Sequence, residues 1–304
     1  MDDSNVKVNS AKAWLLAARP KTLTGAAVPV AIGIAAAINV FGDAIRVAPA
    51  VLCMLFALIM QVDANFVNDY FDFMKGTDDE LRLGPKRACE QGWITAPAMR
   101  KGILITTVIA CLVGLPLIFY GSWELILVGL ACVVFCFLYT ITLSYMGLGD
   151  VLVLVFFGIV PVCLTFSLVS PSFSLFPFPT RIFMLSVACG LVIDTLLVVN
   201  NYRDIDNDLR TGKNTLIVKI GARGGRLLYL WLGIMAAFIT SYFAWDYCHT
   251  AAWHILIYIP AHCTAYIEMV KINKGRKLNK VLGMTALNIL IYGILVSAGL
   301  ILGR

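Results

Sequence analysis

Nine apolar stretches, each near the length of a membrane-spanning helix, take up almost the whole of this 304-residue chain. They run over residues 22–41, 48–69, 102–119, 124–140, 150–169, 181–201, 227–245, 252–270 and 281–302. A helix crossing the hydrocarbon core needs about 20 consecutive apolar residues, and segments this closely spaced leave no room for a separate soluble domain. Hydrophobic residues make up 60% of the chain and charged residues only 14%, which excludes an ordinary water-soluble fold. Lipid offers the backbone no hydrogen-bond partners, so the segments must satisfy themselves as helices. The expected fold is an all-α polytopic membrane protein of nine transmembrane helices, forming a single domain over 1–304.

The basic residues orient it. Twenty-one of the 24 lysines and arginines fall in the N-terminal segment and in the loops after the second, sixth and eighth spans. Nine spans put all four of these segments on one face, which the positive-inside rule makes cytoplasmic. Residues 1–21, 70–101 and 202–226 are therefore expected in the cytoplasm, at the inner membrane of a bacterial cell. The opening MDDSNVKV is acidic and polar rather than a basic lead into a short apolar core, so no cleaved signal peptide is expected. Residues 10–21 read as a short interfacial helix ended by Arg19-Pro20. Basic loops beside anionic lipid account for the net charge of +6 without nucleic acid. The nine cysteines are scattered and show no metal-binding spacing or disulfide framework.

Two acidic strings stand at cytoplasmic helix ends: NDYFDFMKGTDD (68–79) and NNYRDIDNDL (200–209). Laying Asp72 on Asp204, an offset of 132 residues, also brings Asn68 onto Asn200 and Tyr70 onto Tyr202, giving a shared N-x-Y-x-D. In the first, Asn65, Asn68/Asp69 and Asp72 recur at helical spacing, with Gln61 one turn deeper; in the second, Asp204 and Asp208 are i, i+4 partners. Carboxylates are costly to desolvate beside a membrane and usually mark a site. Plain solvated loops would explain one such string, but not its repetition with matched spacing on one face. Hard oxygen ligands of this kind suit Mg²⁺, which keeps several waters and takes one or two carboxylates plus substrate phosphates. Two facing clusters could hold two ions bridging one diphosphate. Lys75, Arg82, Arg87, Arg203, Arg210 and Lys213 could then neutralise its remaining oxygens. Tyr139, beside Thr140 at the end of the fourth span, could stabilise an allylic carbocation by cation–π contact.

These residues resemble the UbiA superfamily of intramembrane aromatic prenyltransferases, which carry two aspartate-rich motifs on nine helices around a central cavity. The strings NDYFDFMKGTDDELRLGPKR and NNYRDIDNDLRTGKNTL are similar to the branch acting on 1,4-dihydroxy-2-naphthoate, with RPKTL at Arg19–Leu23 and GLGDVLVLVFFG at Gly147–Gly158 in support. The resemblance implies a Mg²⁺-dependent transfer of a polyprenyl group from polyprenyl diphosphate to 1,4-dihydroxy-2-naphthoate, with loss of CO₂ and diphosphate. Membrane lipid would surround it, and nothing in the sequence fixes an oligomeric state. By matched position, Asn68, Asp72, Asp78, Asp204 and Asp208 would hold the metal; Asp72, Asp204 and Lys75, together with Tyr139 from its place at the end of the fourth span, would carry the chemistry. Gln61, Asn65, Asp69, Arg82, Arg87, Asn200, Arg203, Arg210, Lys213 and Lys21 would contact substrate.

Other acceptors, such as 4-hydroxybenzoate, homogentisate or a tetrapyrrole, keep the same mechanism. A secondary transporter also shows internal repeats and intramembrane carboxylates, but places its site near the midplane, whereas these acids gather at one interface. Asp63 and Asp194, each about ten residues before its motif aspartate, read as structural groups in preference to parts of an aromatic pocket.

Overall fold

A computed structural model describes residues 6–76, 83–244 and 253–303; of the expected site residues, Asp78 and Arg82 lie outside these described residues. Among the described residues the chain is helical, without a strand. The helices are α1 (Ala11–Ala18), α2 (Leu23–Phe41), α3 (Val47–Met74), α4 (Ala96–Gly114), α5 (Leu125–Ile141), α6 (Gly149–Val153), α7 (Val160–Val169), α8 (Thr180–Arg203), α9 (Ile205–Arg210), α10 (Leu216–Ala244), α11 (Trp253–Ile272) and α12 (Asn279–Leu302). Each expected span meets a helical segment, α6 and α7 sharing one. Among the described residues seven segments are long and apolar enough to cross a membrane, and α5 is a shorter apolar helix. The twenty-residue α11 carries Pro260, His262, Glu268 and Lys271 and falls outside that measure.

Local chemistry sets the ends. Ser10 caps α1 by accepting from the Ala13 N–H at 3.3 Å. The helix stops at Arg19, held at φ 50°, because the ring of Pro20 crowds the α region of the residue before it. A 3₁₀ turn over Pro20–Thr22 then leads into α2. Helix α10 is broken at Gly221, whose φ of 73° suits a residue without a Cβ.

The fifth expected span departs most from a simple helix. Leu154–Ile159 forms a π-helical turn between α6 and α7. Pro161 just beyond it has no N–H to continue an α ladder. The widened turn presses onto α8 at a pair of glycines: a Cβ on Gly158 would stand 2.6 Å from the Ser186 carbonyl, and one on Gly190 would stand 3.1 Å from Leu154 Cα. Gly33 of α2 meets the backbone of α7 in the same way, 2.8 Å from the Val162 carbonyl. Without water to drive helices together, close backbone approach supplies the packing.

The main core joins α2, α7, α8, α10 and α12 through residues such as Ile32, Val162, Ile193, Ala236 and Ile289. A second cluster, with Val199, Tyr202, Ile217, Tyr229 and Met269, packs α8, α10 and α11 together at the end of the bundle that carries the second motif. A third folds α1 and the 88–94 loop over α3 and α4 through Ala13, Phe66, Cys89 and Met99. The outer faces keep large apolar side chains exposed, among them Leu104, Leu112, Phe119 and Leu130, as lipid requires. Gly158→Val should force α6–α7 off α8. Overpacking of this kind costs about 1–3 kcal/mol, read as a lower thermal unfolding midpoint in detergent, whereas Gly129→Ala, with nothing near its Cβ position, should leave the midpoint in place.

Candidate active site

Helices α2, α3, α5, α7 and α8 enclose a cavity of about 550 Å³. Its walls are apolar, with Phe56, Met60, Leu125, Phe135, Phe157 and Leu168 among them. One end is polar and carries Thr22, Gln61, Asn68, Tyr139, Thr140 and Asn200. Asn68 and Asn200 are the matched asparagines of the two motifs, so the repeat converges on one cavity. The motif carboxylates sit one turn further along their helices: Asp72 is i+4 from Asn68, and Asp204 is i+4 from Asn200.

Each motif carries its own arginine. Asp72, 8% exposed, receives Arg87 Nη2 at 2.9 Å. Asp204 receives a fork from Arg203, Nε to Oδ1 at 2.8 Å and Nη2 to Oδ2 at 2.5 Å. Arg203 is buried, and its Nη1 donates to Asn279 Oδ1 at 2.8 Å, while Asn279 Nδ2 donates to the Leu83 carbonyl at 2.8 Å. Asn279, at the start of α12, thus ties the second motif to the loop that follows the first. Nothing in either motif signals this residue; its position at a helix start is its only mark in the sequence.

Asp208 differs. Its backbone N–H bonds to the Asp204 carbonyl at 2.8 Å, carrying the chain past the turn at Asp204 into α9. Its Oδ2 is buried without a hydrogen-bond partner. Burial pushes its carboxyl up to about 6; Lys213 and Arg203 oppose this, and Asp204 and Asp72 reinforce it. The carboxylates of both motifs therefore stand close enough to repel one another. A bare carboxylate oxygen among like charges fits a cation. Among the described residues no three acidic, histidine or cysteine side chains stand together as a ready metal cluster. The expected ligand set differs from such a cluster, since Asn68 brings an amide, Asp78 is outside the described residues and Mg²⁺ takes much of its shell from phosphate and water.

The lysines gather beside the same place. Lys75 donates to the Ile141 carbonyl at 2.6 Å and lies 4.1 Å from the centre of the Tyr145 ring, while Lys213 lies 5.7 Å from that ring. Burial lowers the Lys75 pKa and Lys213 adds to this, against Asp72. Tyr145, between lysines from the two motif loops, was not singled out by the sequence. Asn68 accepts from Thr140 Oγ1 at 2.5 Å, which fixes α3 against α5 beside Tyr139.

Other expected contacts are engaged within the protein. Asp69 is fully buried and accepts from the Ala88 and Cys89 N–H groups, each at 2.9 Å. Asn65 donates to the Ala18 carbonyl at 2.8 Å and to Thr22 Oγ1 at 2.9 Å, and Gln61 donates to Asn65 at 3.4 Å. Asn65 and Asp69 thus hold the end of α1 and the 88–89 loop against α3. Arg210 donates to Asn207 at 2.6 Å, and Lys21 is exposed on the 3₁₀ turn before α2.

Residues 26–291 match the sequence profile of the UbiA prenyltransferase family. The chain belongs to that family. It is 32% identical over 304 residues to a Haemophilus influenzae protein named 1,4-dihydroxy-2-naphthoate octaprenyltransferase, covering 96% of each chain. A Mycobacterium tuberculosis protein of the same name is 31% identical over 300 residues, covering 96% of this chain and 97% of its own. The fold is that of a UbiA homolog from Aeropyrum pernix, with a TM-score of 0.68 at 15% identity over 92% of this chain and 97% of that one. A second neighbour, a UbiA homolog from Archaeoglobus fulgidus bound to GPP and Mg²⁺, has a TM-score of 0.63 at 14% identity over 94% and 99%.

In this member of the UbiA family, Asn279 serves the second motif through Arg203. Asn279→Ala leaves a buried guanidinium N–H unpaired, a loss of about 1–3 kcal/mol. Prenyl transfer by Asn279→Ala should fall about tenfold or more in membranes that hold wild-type amounts of protein, measured as product per unit enzyme.

Proposed function

We propose that this protein transfers a polyprenyl group from polyprenyl diphosphate to 1,4-dihydroxy-2-naphthoate, releasing CO₂ and diphosphate, as an integral protein of the bacterial inner membrane with its motif loops in the cytoplasm. The observation that carries this reading is the convergence of the two repeated motifs, through Asn68 and Asn200, on the polar end of one apolar cavity. Support comes from the full-length relatives of that name and from a structural neighbour that binds GPP with Mg²⁺.

The diphosphate would lie at the motifs and the isoprenoid chain in the cavity. Asn68, Asp72, Asp78, Asp204 and Asp208 would hold the metal, two ions in this reading. Bound Mg²⁺ would supply positive charge that stabilises the departing diphosphate. Arg87 and Arg203 hold Asp72 and Asp204 in place through ion pairs. Lys75, Lys213 and Arg82 would face the phosphate oxygens from the motif loops. Tyr139 borders the cavity at its polar end, where its ring would shield the allylic cation left when the C–O bond opens. The apolar walls keep water from capturing that cation. The naphthoate ring then attacks through its carboxyl-bearing carbon.

Purified enzyme given Mg²⁺, polyprenyl diphosphate and carboxyl-labelled naphthoate should release labelled CO₂ in step with prenylated product. Asp72→Ala and Asp204→Ala should each lower turnover by about 10³-fold or more, the scale of losing a preorganised charge contact, while the protein still inserts and purifies. Normal turnover in either variant overturns the metal assignment, and label retained in the product overturns the decarboxylating route.

A further inference from the structure

The two intramembrane aspartates ahead of the motifs part company. Asp63 accepts from Thr106 and, at 2.9 Å, from Thr107, and so pins α3 to α4 as a structural group. Asp194 of α8 is 5% exposed, yet its Oδ1 has no hydrogen-bond partner. Asp194 shares a face of α8 with Gly190 and Leu197, which meet Leu154 and Gly149, so it lies toward α6, where the Oδ1 of Asp150 is buried and unpartnered as well. Both act on Tyr139.

The three residues come from three helices that meet at one spot. A Cβ on Gly149, next to Asp150, would lie 3.8 Å from Tyr139 Oη and 3.3 Å from Leu197 of α8, one turn beyond Asp194. Tyr139 borders the main cavity and also a polar recess of about 10 Å³ walled by Asp150, Ser144, Asn201, Lys213 and Thr215. That is the space of a single water. Lys213 is the cation on the recess wall, and Asp72 and Asp208 of the motifs also reach Tyr139 electrostatically. Paired carboxylates with bare oxygens share a proton readily, and an unpaired intramembrane acid marks function more often than packing.

We infer that Asp150 and Asp194 take up and return the proton of the aromatic acceptor, with the Tyr139 hydroxyl as the relay. This rests on the prenyl transfer proposed above. The two aspartates act through Tyr139 and are positioning residues. The prenyl C1–O bond breaks and its electron pair leaves with diphosphate. The ring carbon bearing the carboxylate then forms a bond to C1, while the adjacent hydroxyl becomes a ketone and gives its proton to Tyr139 Oη, whose own proton passes to the pair. The resulting β-keto carboxylate loses CO₂, and the C–C electron pair becomes a naphtholate. The naphtholate oxygen takes the proton back along the same route. No proton is gained or lost overall and nothing is oxidised, so a pair that stores one proton is what a decarboxylating transfer needs. Replacing a ring hydrogen would instead require the proton to leave for good.

Asp150→Asn and Asp194→Asn keep shape and remove the store. Each should lower kcat about 100-fold or more, the scale of general acid–base catalysis. KM for prenyl diphosphate and Mg²⁺-dependent binding of a prenyl diphosphonate should change less than about twofold, which also reports that the variants fold. Residual turnover should climb toward tenfold per pH unit between pH 7 and 9, the slope of one ionisation, as the acceptor hydroxyl ionises unaided, where the wild type is flat. Tyr139→Phe should share that slope. Wild-type kcat in Asp150→Asn, or an equal loss at every pH, overturns the inference; turnover surviving in Asp72→Ala overturns the transfer chemistry beneath it instead.

Discussion

Carboxylates gathered where a membrane begins repel one another and lose solvation, and this cost shapes the motif-bearing end of the protein. Asp72 and Asp204 are held by arginines at 2.9 and 2.5 Å, and Asp208 keeps an oxygen bare with its carboxyl pushed up to about 6. The arginines do not empty the site of its demand for positive charge. Removing either would leave a buried, uncompensated charge, the more damaging half of a broken pair. Arg203 in turn depends on Asn279 of α12, and Asn279 on the Leu83 carbonyl. The acidic site is therefore braced by elements far apart in the chain.

Below that end the demands reverse. The cavity must stay apolar and open inside a close-packed bundle, and the glycine contacts allow it: α7 lies directly on α2 at Gly33, and the π turn lies on α8 at Gly158 and Gly190. Close approach there leaves an open space beside these elements, walled by Phe157 of the π turn, Phe56 of α3 and Phe135 of α5. The same π turn follows Asp150 in the chain and brings α6 alongside Asp194. Packing and site chemistry meet in one short stretch.

Much of this was legible in the sequence because hydropathy fixes helices in lipid more firmly than in water. Each of the nine apolar stretches meets a helical segment, and the short first helix stops at Arg19-Pro20 as the sequence implies. The repeated N-x-Y-x-D marked the cavity mouth. Which polar residue turns inward was not legible. Asn68 and Asp69 are neighbours in the chain, yet Asn68 borders the cavity while Asp69 caps a loop about twenty residues on. About 100° of helix rotation separates them, and only the tertiary position of the 88–89 loop decides between them. Asn65 likewise belongs to α1, and Asn279 to a motif 76 residues earlier. The π turn has no periodicity of its own, since a proline and two glycines permit several geometries. Asp63 and Asp194 read alike in sequence and differ in kind, because the threonines that satisfy Asp63 come from α4.

The central claim is that both acidic motifs grip one diphosphate through divalent cations. Electron–nuclear double resonance of the enzyme loaded with Mn²⁺ and a prenyl diphosphonate tests it directly. The account requires a ³¹P coupling to the bound ion that is lost in Asp72→Ala and lost equally in Asp204→Ala. A coupling that survives intact without either aspartate would mean that the motifs do not share the ligand, and would contradict it.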